Sequence, residues 1–174
     1  MLKFFMTAGA AVLLVAIAPA QAADAKPNDA QIAHIAYTAG TLDVAAGKQA
    51  LAKSHDKAVR DFASEMVRDH EAVNDKALAL VKKLNVTPQD NPTSAALKAA
   101  ADKKRDELAK LDGPAFDKAY IANEVAYHRT VNGALRDTLI PSAQNAELKS
   151  LLRTGLSLFT EHQAHAEHLA AKLK

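Results

Sequence analysis

An all-α fold, a four-helix bundle built from two helical hairpins, is what the sequence predicts. Three observations carry it. Alanine, leucine, lysine and glutamate dominate, and these are strong helix formers. Four long segments repeat their apolar residues at alternating three- and four-residue steps, the mark of one helix face. Strand signals are sparse: aromatic residues are 5% of the chain, and no hairpin turn lies between alternating apolar runs.

The chain opens with Lys3, an apolar run over Phe4 to Ala18, the breaker Pro19 and the small-residue site Ala20-Gln21-Ala22. That pattern predicts a signal peptide over residues 1–22, cut after Ala22, and export to a Gram-negative periplasm. The run is too short to span a bilayer, which takes roughly 20 residues. The rest, residues 23–174, is long enough for one packed domain. It has no cysteine, so neither disulfides nor a cysteine-linked lipid anchor contribute. The formal charge of the whole chain is only +2, which together with export argues against nucleic acid as a partner.

The first helix is expected from about Asn28 to Lys53. Its seam is Ile32, Ile35, Ala39, Leu42, Ala46 and Gln49, and Asn28 or Asp29 caps it. The second runs from a Ser54 cap to Leu84. Its seam (Val59, Ala63, Met66, His70, Val73, Ala77, Leu80, Leu84) has coiled-coil-like spacing. "NVTPQDNPTS" is a turn-rich break. A shorter helix follows from about Ser94 to Leu111 and ends at Gly113. Pro114 suits the first turn of the next helix, which reaches Leu139 with Ile121, Val125, His128, Asn132, Leu135 and Leu139 in its seam. Pro141 closes it. The last helix spans about Ser142 to Leu173, with Leu148, Leu152, Gly155, Phe159, His162, Ala166, Leu169 and Leu173 in register. Gly47, Gly133 and Gly155 fall where helices would approach closely.

Seven histidines occur in the chain. In "TEHQAHAEHL", His162 lies in the seam, His165 is a half-exposed flank of it or a charge partner for Glu161, and His168 faces water. The three spread over about 120° of the helix, so one ion can take a pair but not all three. His70, His128 and His162 are seam residues on three helices, and Asp69, Glu124 and Asp43 stand beside them. Buried imidazoles need partners. Imidazole with carboxylate is also a ligand set that Zn, Cu, Ni and Fe accept. A structural hydrogen-bond network and a metal site are both open on these grounds.

Heights along the helices bear on the choice. At about 1.5 Å per residue, Asp43 and His70 lie about 16 and 24 Å from the turn near Ser54. His128, Glu124 and His162 lie about 20, 25 and 30 Å from the turn near Pro141. If both hairpins turn at one end, Asp69, His70, Glu124 and His128 share a level, with Asp43 just below. His162 then sits higher, near His34. With opposite turns the arrangement is expected to fail.

Several chemistries are excluded. The residues three before each histidine are Gln31, Ala52, Val67, Val125, Phe159, His162 and His165, so no Glu-x-x-His pair of a di-iron site exists. His-Glu-x-x-His and Cys-x-x-Cys-His are absent, which removes zincin proteolysis and c-type haem. A non-covalent haem held by Met66 or His70 with His128 stays open on a bundle, although Met66 reads first as core filling. Ser54 and Ser157 have no histidine–carboxylate pair at a recognisable spacing, and no glycine-rich phosphate loop occurs.

The stretch from Thr38 to Val86, with "FASEMVRDH", and "LDGPAFDKAYIANEVAYHRTV" together resemble the bacterial family called domain of unknown function 4142. The resemblance runs from about Asp29 to Leu169. It implies a ferritin-like four-helix bundle and supplies no substrate. Asp69 and His70 match the family's Asp-His pair, and His128 and His162 match its later histidines. Asp43 stands where the family usually has Glu. Family members are often labelled outer-membrane proteins, but the missing strands favour a soluble periplasmic bundle. The expectation is transition-metal binding without turnover at Asp69, His70, Glu124 and His128, with Asp43 and His162 secondary. The alternative is a metal-free envelope or stress-related module that meets a protein partner or a second copy of itself.

Overall fold

The computed structural model describes residues 26–173. The expected signal peptide lies outside the described residues. These residues form helices α1 (Asp29–Lys53), α2 (Lys57–Lys83), α3 (Pro92–Ala109) and α4 (Gly113–Ala134), then a π-helical turn (Leu135–Leu139), the short α5 (Ile140–Ser142) and α6 (Ala146–Lys172). Among the described residues there is no strand, and no helix is long and apolar enough to cross a membrane.

Local chemistry sets the boundaries. Asn28 and Gln31 form a reciprocal capping box at the start of α1. Asp56, rather than Ser54, caps α2 by accepting from Val59 N at 3.0 Å. Ser54 instead closes α1, and its hydroxyl accepts from Asp56 N. Asn91 caps α3 three residues before the expected start, with Pro92 in its first turn. Pro141 lacks an N–H, and in α geometry its ring would meet the carbonyl of Asp137. The preceding turn widens to π spacing, with Ile140 N–H donating to Leu135 O. The chain then needs Ala143 to Asn145 to turn, so α6 begins at Ala146 under an Asn145 cap rather than at Ser142.

The two hairpins turn at opposite ends. The Asp29 carboxylate, at the start of α1, accepts from Gln144 N and Asn145 N, both at 2.8 Å. Lys83 at the end of α2 pairs with Glu147 at the start of α6 at 2.6 Å. The α4–α6 turn therefore sits beside the beginning of α1, a bundle length from Ser54. α3 makes this possible by running beside α1 and in its direction. Ser94 meets His34 near one end, and Gln49 and Lys53 donate to Arg105 O and Ala109 O near the other. The order is up-down for α1 and α2, then down-up for α4 and α6, with α3 as the long crossover of a ferritin-like bundle.

The core is two apolar clusters. One holds Ala50, Val59, Phe62, Met66, Phe116, Tyr120, Ile121 and Leu169. The other holds Ile32, Ile35, Leu135, Leu139, Leu148, Leu152 and Phe159. Burying each large side chain contributes about 1.5–3 kcal/mol. Between the clusters along the four long helices α1, α2, α4 and α6 lie buried polar residues: Asp43, His70, Glu124, His128, Asn132 and His162.

The seams of α4 and α6, apart from half-buried Val125 and Leu173, and the first half of the α2 seam bury as expected, while Val73, Ala77 and Leu80 of α2 are half-buried. In α1 Ile32, Ile35, Ala39 and Ala46 bury as expected, but the buried face extends further round the helix. Leu42 and Gln49 are half-exposed, whereas Asp43 and Ala50 are buried. α1 is covered by α2 on one side and α3 on another, and this wider face draws in Gly40, Asp43 and Gly47. A Cβ on Gly47 would stand 2.9 Å from Val67 Cγ2 and 3.1 Å from the Ala63 carbonyl. Gly133, expected at a contact, has nothing within 4 Å of its Cβ position. A Cβ on Gly155 would meet only Phe159 of its own helix.

These two glycines should respond oppositely to alanine. Gly47→Ala forces α1 from α2 and should cost about 1–3 kcal/mol. Gly133→Ala should gain up to about 1 kcal/mol from helix propensity alone. Urea unfolding of both variants checks this; shifts of the same sign would refute the assigned contacts.

Candidate metal centre

The polar layer forms because the relevant residues sit near the middles of their helices. His70 is the midpoint of α2, 13 residues from either end. Asp43 lies 10 residues before the end of α1, Glu124 lies 11 after the start of α4, and His162 lies 10 before the end of α6. Measured from one end of the bundle, these groups fall at nearly one level. Mid-helix residues meet whichever way a hairpin points, so the opposite turns do not break the cluster. They do relocate His162, which joins His70 and His128 and leaves His34 behind. His34 instead contacts Ser94 Oγ at 3.0 Å and Asp90 at 3.1 Å.

The three imidazoles form a near-equilateral triangle, with ring centroids 5.4–5.6 Å apart. All three are at most 2% exposed. Asp43, fully enclosed, places Oδ2 2.7 Å from His70 Nε2 and 3.4 Å from His128 Nε2. The 2.7 Å approach is within hydrogen-bonding distance and pairs the two buried groups. His70 also stacks flat on Phe159, centroids 4.4 Å apart at 10°.

Two outer contacts orient the rings. His128 Nδ1 lies 3.1 Å from the Glu124 carbonyl, to which its N–H donates. That leaves Nε2 as the lone-pair nitrogen, and it has no hydrogen-bond partner. His162 Nε2 lies 3.0 Å from Asp69 Oδ2, and its Nδ1 is buried without a partner. Asp69 itself stands at the rim, 17% exposed, held on its other oxygen by Arg68 at 2.7 Å. Glu124 Oε2 lies 3.6 Å from His128 Nδ1 and is likewise unpartnered.

Among the described residues, three groups can each bring one ligating atom per residue within 4.8 Å of the others: His70, His128 and His162; Asp43, Glu124 and His128; Glu65, Asp69 and His162. Five of the six residues expected from sequence thus lie in one buried cluster, with Asp69 behind His162. Sequence reading did not single out Glu65, whose carboxylate is 2.8 Å from His165 Nδ1. Its place four residues before Asp69 was the available signal. His165 pairs with Glu65 on α2 rather than with Glu161, and His168 is exposed as expected.

Electrostatics divide the groups. Burial pushes the Asp43 carboxyl up, but His70 and His128 outweigh it and hold it below the usual carboxylate range. Burial and then the neighbouring Asp43 charge push Glu124 well up. The pair therefore favours one charge, on Asp43, and one proton, on Glu124. Burial lowers His128 to about 4 against the opposing pull of Asp43, and burial lowers His162 as well.

A histidine held neutral by burial stabilises the fold above its unfolded pKa of about 6.5, and that stability drains as pH falls towards the folded value. The chelator-treated protein should therefore lose stability between about pH 6.5 and 4, with His128 accounting for at most about 3 kcal/mol. Thermal unfolding across this range checks it. His128→Asn should flatten the slope, and an unchanged slope would contradict the assignment.

The fold is shared beyond this chain. The crystal structure of a DUF305 protein from Streptomyces coelicolor, described as secreted, superposes with a TM-score of 0.69 at 14% identity, over 83% of this chain and 93% of that one. At that identity the likeness concerns the fold alone. No curated protein matches the chain. The profile of a family described as a domain of unknown function, DUF4142, matches residues 15–169. With nearly its whole length matched, the chain belongs to the DUF4142 family.

Proposed function

We propose that this protein is an exported, periplasmic metal-binding bundle that holds one transition ion without turning over a substrate. The observation that carries the reading is the set of orphaned atoms in the polar layer. His128 Nε2, His162 Nδ1, His70 Nδ1 and Asp43 Oδ1 are buried without hydrogen-bond partners. Leaving such groups unmade costs about 1–3 kcal/mol each. A cation among them would satisfy several at once.

In this reading His70, His128 and His162 supply neutral nitrogens and Asp43 the anionic oxygen. Glu124 stands by as a further oxygen ligand once a cation relieves its repulsion by Asp43. Asp69 and the Glu124 carbonyl fix the tautomers from outside, as outer hydrogen bonds to ligating histidines commonly do. Three imidazoles and a carboxylate suit Zn, Cu, Ni or Fe, and poorly suit Mg or Ca, which prefer all-oxygen sites. A fourth protein ligand, Asp43, would fill the position that a catalytic site leaves open to water, which favours holding or carrying the ion over catalysis.

The flat stack of His70 on Phe159 favours a second reading, a metal-free packed network within an interaction module. The two separate on metal content. Purified without a polyhistidine tag, the protein should carry near-stoichiometric metal by inductively coupled plasma mass spectrometry. His70→Ala combined with His128→Ala should abolish it, and Asp69→Asn should weaken affinity about 10–100-fold. Ion at about 100 times its Kd should add about 2.7 kcal/mol of stability, raising Tm by several degrees. No metal after incubation and washing, with Tm indifferent to chelator, would leave the packed network.

A further inference from the structure

We propose that Glu65, His165 and Asp69 form the port through which the ion reaches the buried histidines, with His162 passing it inward. This rests on the metal-binding reading above and adds a route to it. The side chains step from solvent to core across the α2–α6 face. His165 and Glu65 are 40% and 32% exposed, Asp69 is 17%, and His162 is 1%. Each step is a ligating pair: His165 Nδ1 with Glu65 Oε2 at 2.8 Å, then His162 Nε2 with Asp69 Oδ2 at 3.0 Å.

His162 joins the two environments. Its Nε2 faces the carboxylate at the rim, and its Nδ1 is buried and unpartnered. The same residue belongs both to the group with Glu65 and Asp69 and to the group with His70 and His128. An ion held by the two carboxylates, and by Nε2 once that nitrogen passes its proton to Asp69 or water, is one ring's width from the inner nitrogens; the proton returns to Nε2 as the ion moves to Nδ1. Two carboxylates at the mouth raise the local cation concentration, and each replaces a water as the ion sheds its shell. Arg68, 69% exposed on Asp69 Oδ1, is the cation an arriving ion displaces.

Two cavities also adjoin the layer, and both are less suited to a cation: the larger, about 570 Å³ and bounded by Phe159, is lined by no charged or imidazole side chain. The smaller, of about 260 Å³ under α3, touches Asp43 and Glu124. Its lining includes Leu42, Leu97 and Leu108, and its charged residues away from the layer are Lys104 and Arg105. No acidic or imidazole side chain stands there between solvent and Asp43.

A port lowers the barrier in both directions, so it changes rates and not equilibrium. The test is stopped-flow binding and chelator-driven release of Co²⁺, added as the chloride, to the whole protein and to Glu65→Gln/His165→Gln. Both substituted residues are part-exposed, and unchanged helicity and Tm without metal would verify the fold. The expected result is association and release each slowed about tenfold or more, with Kd changed less than about threefold. Raised ionic strength should slow wild-type association more than that of the variant. Unchanged association would overturn the port and send the ion through one of the two cavities. Weaker Kd through faster release alone would make these residues ligands of the final site. Wild-type protein that takes up no Co²⁺ would overturn the underlying metal reading along with the port, and would be evident before any variant is compared.

Discussion

A carboxylate sealed in the centre of a helical bundle is the constraint on which the rest of the molecule turns. Asp43 has no exposed side-chain surface. Withdrawing such a charge from water costs several kcal/mol even after relaxation, and the cost is met only when opposite charge or dipoles converge on it. Here three helices converge: α2 through His70, α4 through His128 and Glu124, and α1 through Asp43 itself. Each must bring its middle to the same level. The layer thus fixes the register of helices whose apolar seams, rich in alanine, would tolerate sliding. Gly47 lets α1 approach the Ala63 carbonyl of α2 closely enough for the Asp43–His70 contact to form.

Much of this was legible from spacing. The seams of α4 and α6 are uninterrupted three-four repeats, and such repeats specify both the helix and the face it buries. His70, His128 and His162 were legible as core residues because the repeat passes through them. α1 was legible in part: Ile32, Ile35, Ala39 and Ala46 bury as read, but Asp43 and Ala50 bury beyond Leu42 and Gln49, since α3 as well as α2 covers it and a crossover helix leaves no mark on the periodicity of the helix it covers. Hairpin direction was not legible either. The Asp29 carboxylate that receives Gln144 N and Asn145 N is separated from them by most of the chain.

The order of importance within the site was the least legible part. Asp69 adjoins His70 in sequence, yet neighbours on a helix point about 100° apart. Its carboxylate reaches His162 across the α2–α6 interface instead. The ranking of His162 below Asp69 followed from a height measured towards the wrong end of the bundle. Which ring nitrogen is left free follows from the hydrogen bond the other makes, a tertiary fact that no spacing encodes.

The two sides of the polar layer are packed differently, and this bears on how an ion would fit. One side is filled by Phe62, Phe116, Tyr120 and Met66, all fully buried. The other faces an apolar cavity of about 570 Å³ lined by small residues such as Ala36, Ala39, Gly40 and Ala77, and bounded by Phe159. Ligands around a tetrahedral Zn²⁺, at about 2.0–2.2 Å from it, are about 3.3 Å from one another. The Asp43–His70 contact of 2.7 Å is shorter and must open by roughly 0.6 Å to admit such an ion. His70 cannot yield towards the aromatic half without overpacking it, which costs about 1–3 kcal/mol. It can yield towards Phe159, on which it stacks and behind which space remains. The loosely filled half of the bundle thus supplies the give that a tightly paired buried site needs in order to accept a cation.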